Sequence, residues 1–334
     1  MRSRIPTLAA ILFVQLLIAG ALAMRGSALS ASPPDMPFLT TPIGDADRIL
    51  IDGPATAGKT AAAPVELIER NGSWLVHSAF DVPAAKDRVG GLIKQFAGLR
   101  HDLAVANTTG ARRRFKVAAD RYSRRIRFDR GTQTFATVYI GESAGLRKAY
   151  GRAGGKRAIY TIDVASYDVP ATSAGWIDTQ LLQIPADTIE KIAATGVHGP
   201  GVVLARAMSA NKAPGPWSAT GLARGRTLDQ TKVGALVRAI DELSVDRVLG
   251  EAPSADWQTD RPQATLSIQT TDGKKTTWTL SKPKSGDYLV LKSSEHPWYF
   301  SVDSTTAGPL LDAVTPAGLA QAGKAPPHAH PRAN

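Results

Sequence analysis

The strongest regularity along this chain is a stripe of apolar positions that occurs twice. Val89, Leu92, Ile93, Phe96 and Leu99 recur at the three- and four-residue spacing of a helix laid on a core. Val233, Leu236, Val237, Ile240 and Leu243 repeat that spacing, and the glycine after the first position is shared, Gly90 and Gly234. The flanks agree. Trp74 and Trp217 stand ahead of the two helices, Ala46-Asp47 is echoed by Ala186-Asp187, and Val65 with Leu67 by Val202 with Leu204. Downstream, Tyr160 to Asp163 is answered by Phe300 to Asp303. The copies stay about 140 residues apart throughout, the mark of an internal repeat.

Shorter runs of alternating polarity predict strands. Val65–Arg70 and Ser73–Val76 are joined by Asn71-Gly72, which supplies the positive φ angles of a two-residue hairpin. Arg125–Phe128, Thr134–Ile140 and Ala158–Ile162 follow the first helix; Thr265–Gln269, Thr276–Leu280, Tyr288–Leu291 and Trp298–Val302 follow the second. Trp176–Leu182 reads as a short helical piece closing the first unit. The predicted fold is α+β, a tandem repeat over residues 45–183 and 184–316. Each unit has one amphipathic helix packed on a mainly antiparallel sheet. Residues 27–44, rich in Ser, Pro and Ala, read as a linker, and residues 317–334 as a disordered tail.

The N-terminus adds a compartment. Arg2 and Arg4 precede an apolar run over residues 5–24, long enough to reach the roughly 20 residues a bilayer-spanning helix needs. Ala21-Leu22-Ala23 is also a small-x-small cleavage site, so residues 1–26 are a signal anchor or a signal peptide. Either version places the body of the chain in the periplasm, and the anchored version makes it a single-pass protein of the inner membrane.

Composition then narrows the chemistry. Apolar content of 43% and charged content of 21% belong to a globular chain of 334 residues, and the lack of cysteine excludes disulfides and thiolate metal sites. The net charge is +11, and its position matters more than its size. Between Arg112 and Arg157 stand fourteen Lys and Arg against Asp120, Asp129 and Glu142, a local excess of +11. Outside the cytoplasm this argues against nucleic acid; the segment reads either as a solvated strand face with basic turns or as a surface for an acidic protein face or anionic lipid headgroups. Arg112, Arg113, Arg114, Arg124 and Arg125 are the expected partner-binding residues.

Two motifs resemble catalytic signatures. Gly53 to Thr60, with Gly58-Lys59-Thr60 at its end, matches the phosphate-loop pattern, but Pro64 and the Asn71-Gly72 hairpin leave no room for the helix the loop requires. Gly141-Glu142-Ser143-Ala144-Gly145 matches the nucleophile elbow of serine esterases, with His296 as the base and Asp241 as its orienter. An esterase using Ser143 is therefore the rival to a non-enzymatic reading, in which the motif is a glycine-rich turn. The six histidines, His77, His101, His198, His296, His328 and His330, form no metal-ligating pattern, and no cofactor is expected.

The ordered set of features resembles a known bacterial family. Asp47-Arg48-Ile49, Leu67 through Trp74, Pro83 through Leu99, Arg114 to Val117, Tyr139-Ile140-Gly141, Tyr150-Gly151-Arg152, Ile159-Tyr160 and Trp176 to Leu182 together are similar to the domain of unknown function 4340. That resemblance implies a membrane-anchored extracytoplasmic protein, an accessory subunit of an ABC-type transport system of the gliding-motility kind. Its implied partner is an ABC permease or another auxiliary subunit, and it carries over no catalytic residues.

Overall fold

The structure, a computed structural model, describes residues 14–15, 35–55, 62–196, 201–208, 214–222, 224–315 and 318–322. It is a mixed fold of mostly antiparallel sheets with few helices. The first sheet contains β1 (Arg48–Asp52), β2 (Val65–Arg70), β3 (Ser73–Val76), β4 (Val82–Pro83), β5 (Arg124–Arg130), β6 (Gln133–Gly145), β7 (Lys148–Ala153) and β8 (Tyr160–Ile162). The second contains β9 (Ile189–Gly196), β10 (Val202–Met208), β11 (Pro214–Thr220), β12 (Arg247–Gly250), β13 (Ala264–Thr270), β14 (Lys275–Ser281), β15 (Tyr288–Ser293) and β16 (Tyr299–Asp303).

Across the first sheet the order is β8-β7-β6-β5-β1-β2-β3-β4, and across the second β11-β10-β9-β13-β14-β15-β16-β12. Leaving out β4 and β12, the seven-strand orders are the same, and each has its long helix in the return from the third strand to the fourth. β4 and β12 extend opposite margins. The β11 margin of the second sheet carries Pro214 and Pro216, neither of which has an N–H to offer.

Local chemistry explains these elements. Asn71 and Gly72 take φ of 52° and 77°, as the hairpin between β2 and β3 demands. Helix α1 (Lys86–Ala97) buries Val89, Leu92 and Phe96 of the expected stripe. A second short helix, α2 (Thr109–Arg114), was not expected from the pattern, because it buries none of its residues. Helix α3 (Gln230–Asp241) buries Val233, Leu236, Val237 and Ile240, and its N-cap Asp229 accepts from the backbone N–H of Thr231 and Lys232 at 3.0 and 3.3 Å. Each such side chain removed from water is worth about 1.5–3 kcal/mol, so the stripes hold both helices to their sheets. One continuous core of buried residues runs through both sheets.

Several expectations need correction. Residues 35–44 are no linker: Met36–Pro37 pairs with Arg100–His101, and Phe38 and Ile43 are buried in the core. Trp176–Leu182 is not helical. A single 3-10 turn at Ser173–Gly175 leads into Trp176, which is fully buried and donates from Nε1 to the Pro170 carbonyl at 2.9 Å. Ile177 then bridges Ala84, so burial of a large ring fixes this segment in place of helix periodicity. The second unit runs past residue 316, since Ala320–Ala322 pairs with Arg226–Leu228. Among the described residues no helix is long and apolar enough to cross a membrane, and residues 5–24 lie outside them except for Val14 and Gln15.

The halves meet where β4 and β12 approach. Trp298 Nε1 donates to the Phe80 carbonyl at 3.0 Å, His296 Nε2 lies 3.1 Å from the Leu181 carbonyl, and the Val245 N–H donates to Thr179. Phe80 and Asp81 both take positive φ, 63° and 57°, a costly conformation for side-chain-bearing residues. Asp81 is held there by His77 Nδ1 at 2.5 Å and Arg70 at 2.8 Å.

Candidate functional site

The basic segment lies on the face of the first sheet opposite α1. Along β6, Val138 and Ile140 join the main core while Tyr139 joins a second, smaller cluster with Val117, Tyr122 and Ile159. This follows from the two-residue period of a strand. The cover on that second face is the chain from about residue 105 to Tyr122, which includes α2. Its N-cap Thr108 accepts from the Ala111 N–H at 3.2 Å.

One glycine lets this cover lie down. A Cβ built on Gly141 would meet the Phe115 carbonyl oxygen at 1.9 Å and Val117 Cγ1 at 2.8 Å. With no Cβ in the way, the Glu142 N–H donates to that same carbonyl at 3.1 Å, and Lys116 pairs with Glu142 at 2.8 Å. A glycine inside an alternating strand is the sequence sign of such close approach, and here it carries the cover.

The five expected partner-binding arginines divide. Arg125 is bidentate to Asp52 at 2.9 and 3.0 Å, and Asp52 is buried. The Asp52 hydrogen bonds raise the Arg125 pKa, so that guanidinium is committed inward. Arg124 donates to the Val169 carbonyl at 2.8 Å and to that of Ser123 at 2.7 Å, and burial lowers its pKa. Neither presents a free guanidinium to a partner. Arg112 is half-buried and donates to Thr109 Oγ1 at 2.7 Å. Arg113 and Arg114 are exposed, the former paired with Asp120 at 3.0 Å and the latter stacked on the Phe115 ring at 4.5 Å. Arg121, just beyond, is exposed as well. Of the five expected arginines, the outward ones lie on α2; further along the segment Arg130, Arg147, Lys148, Lys156 and Arg157 are exposed at the turns between strands.

Arg152, not singled out in the sequence for any role of its own, is the buried post under this surface. Its Nε donates to the Val117 carbonyl at 2.6 Å, and a second nitrogen donates to the carbonyls of Ala153 and Lys156 at 3.3 and 3.1 Å. The guanidinium lies 4.2 Å from the centre of the Tyr139 ring. Burial lowers its pKa, and the neighbouring charge of Arg112 adds to that, while Tyr139 opposes it.

The esterase pattern falls at the end of β6. Ser143 donates to the Gly145 carbonyl at 3.1 Å, and β6 turns at Leu146-Arg147 directly into β7, where an elbow has a helix. His296 stacks on Trp298, and Asp241 accepts from the Ala186 N–H at 3.1 Å. His296 thus packs at the junction of the halves and Asp241 within the second half. In the phosphate-loop pattern, residues 56–60, including Lys59, lie outside the described residues. Among the described residues no three His, Asp or Glu side chains converge on a metal position.

The sequence model of the family described as "Domain of unknown function (DUF4340)" matches residues 74–267, more than half of the chain. That span holds α1, the arginine surface and α3. No curated protein and no solved structure matches.

Proposed function

The chain belongs to the domain of unknown function 4340 family, and from that premise we propose that it is a non-enzymatic accessory subunit of an ABC-type transport system. In this reading residues 5–24 tether it to the inner membrane, its bulk lies in the periplasm, and it works by contact with a permease or another auxiliary subunit. The observation that carries the reading is the outward set Arg113, Arg114 and Arg121, displayed on a cover pinned to the first sheet through Gly141 and Arg152. A fixed basic surface suits steering and docking of an acidic protein face.

The test is recovery of membrane partners on the full chain after crosslinking. Changing Arg113, Arg114 and Arg121 together to Ser is expected to lose the partner while the fold is retained. Partner recovery equal to that of the unchanged protein would remove the surface from consideration. Arg124 and Arg125 stay unchanged in this experiment, because their loss would confound docking with stability.

We also read the two halves as copies of one unit. Support comes from the shared seven-strand order and the like position of the long helices. Lys116 after Phe115 and Gln258 after Trp257 take the same left-handed conformation, φ 55° and 52°. An experimental structure whose sheets refuse to superpose strand on strand overturns this.

A further inference from the structure

The second sheet carries, on the face away from α3, a cavity of about 180 Å3 lined by Thr259, Thr279, Ser281, Val290, Lys292 and Tyr299. Register builds its floor. Lys292 on β15 lies directly between Thr279 on β14 and Tyr299 on β16, and Ser281 is paired with Val290 in the adjoining row. Leu289 and Leu291 point the other way into the main core, so the pleat commits Val290 and Lys292 to the cavity.

Lys292 stands in its sheet where Arg152 stands in the first, on the strand one place beyond β6 or β14. The two cations are held alike. Arg152 donates to the carbonyls one and four residues on, those of Ala153 and Lys156. Lys292 donates to the carbonyls one and four residues on, those of Ser293 at 3.1 Å and His296. The difference is the remaining acceptor. Arg152 has the Val117 carbonyl, delivered by the cover. Lys292 has no carbonyl there: its ammonium lies 5.7 Å from the centre of the Tyr299 ring, on which Trp257 packs, and otherwise faces the cavity with Thr259 at the rim.

An ammonium has three N–H donors, and the protein supplies acceptors for two. Among the described residues no carboxylate pairs with Lys292, and Thr259, Thr279 and Ser281 make no side-chain hydrogen bond inside the protein. Burial lowers the Lys292 pKa, the sign of a cation short of compensating charge.

We propose that this cavity binds a carboxylate, one oxygen taking the place beside Lys292 that the Val117 carbonyl takes beside Arg152. The hydroxyls of Thr279 and Ser281 serve the second oxygen. A carboxylate fits better than a neutral carbonyl because it supplies the missing charge as well as the acceptor. At about 30 Å3 per water, the space holds the equivalent of roughly six waters, enough for a small organic acid or the last residue of a peptide. This site is separate from the arginine surface and does not depend on the transport reading.

The experiment uses the full chain in mild detergent with 13C-labelled valine methyl groups. Val290 lines the cavity and is assigned through Val290→Ile. Sodium acetate, sodium succinate, and tri-alanine with a free or an amidated C-terminus are titrated against chloride at equal ionic strength. Saturable movement of the Val290 methyl signals with the free carboxylates only is expected. Lys292→Gln should weaken it by at least ~10-fold, with Lys292→Arg retaining most of it. Tighter binding of free tri-alanine than of acetate or succinate assigns the site to a peptide terminus, and the reverse assigns it to a free acid. Response to chloride or to the amidated peptide at the same concentration, no saturation, or indifference to Lys292→Gln overturns the proposal. Since Lys292→Gln leaves Arg113, Arg114 and Arg121 in place, unchanged partner recovery in that variant keeps the two readings distinguishable.

Discussion

Replacing Gly141 by alanine tests how the basic surface is held. The new methyl would sit 1.9 Å from the Phe115 carbonyl oxygen and 2.8 Å from Val117 Cγ1, with the Lys116 carbonyl at 3.0 Å. Two of those three atoms are backbone, so no rotamer change relieves the clash. The cover must lift by about 1 Å, which forfeits a quarter to a half of the dispersion contact along its underside. Overpacking of this kind costs about 1–3 kcal/mol, and weakening the Glu142–Phe115 hydrogen bond adds about 0.5–1.5 kcal/mol. A loss of about 2–4 kcal/mol is expected in urea denaturation. Lifting the cover also exposes its chain, and 2 kcal/mol is about 30-fold in an opening equilibrium, so limited trypsin should cut at Arg112 to Arg114 at least that much faster. Gly90→Ala and Gly234→Ala are the controls of opposite sign. Both glycines lie within helices with open space at the added methyl, and each change should stabilise by about 0.5–1 kcal/mol. Gly141→Ala within about 0.5 kcal/mol of the unchanged protein, with ordinary trypsin resistance, would refute the account.

Two further outcomes follow from the charges. Arg125→Ser should cost about 2–4 kcal/mol, because it strands the Asp52 carboxylate, 6% exposed, with only Arg127 at 3.8 Å. Arg113→Ser, at 64% exposure, should stay within about 1 kcal/mol; similar losses in urea for both would erase the inward–outward division. At Asp81, burial alone would raise the carboxyl pKa, but the hydrogen bonds and charges of His77 and Arg70 outweigh it and hold the pKa below the ordinary 3.8. The folded value being the lower one, this stabilisation is complete above the unfolded value and fades as pH falls through the folded one. Asp81→Asn, which tolerates the positive φ, should therefore flatten the decline of the urea midpoint below about pH 4. A decline as steep as before would show that the carboxylate carries none of it.

The parts of the fold governed by near neighbours were readable in the sequence. The stripes of α1 and α3, the Asn71-Gly72 turn and most strands of the second sheet lie where periodicity and turn chemistry put them. Misreadings came where partners lie far off along the chain. Arg125 looks like surface charge until β1 brings Asp52 beside it, and Phe38 and Ile43 look like linker until Arg100–His101 pairs with their neighbours. Trp176 to Leu182 has helix-compatible spacing, yet burial of one indole decides its path. At the arginine surface, total charge was legible and its direction was not. Lys292 gave no sign at all, because its meaning arises from an acceptor that its counterpart Arg152 has and it lacks.

The two prolines on β11 bear on how the protein survives its surroundings. An uncovered sheet margin is a template on which another chain can add a strand, and from there polymerise. Pro214 and Pro216 leave β11 with two fewer backbone donors, and the Gln230 side chain takes the outward N–H and carbonyl of Trp217 at 3.3 and 2.8 Å, so the margin of the second sheet offers an incoming strand few partners. That margin is thereby made a poor seed for aggregation, which matters most while the chain is still incompletely folded.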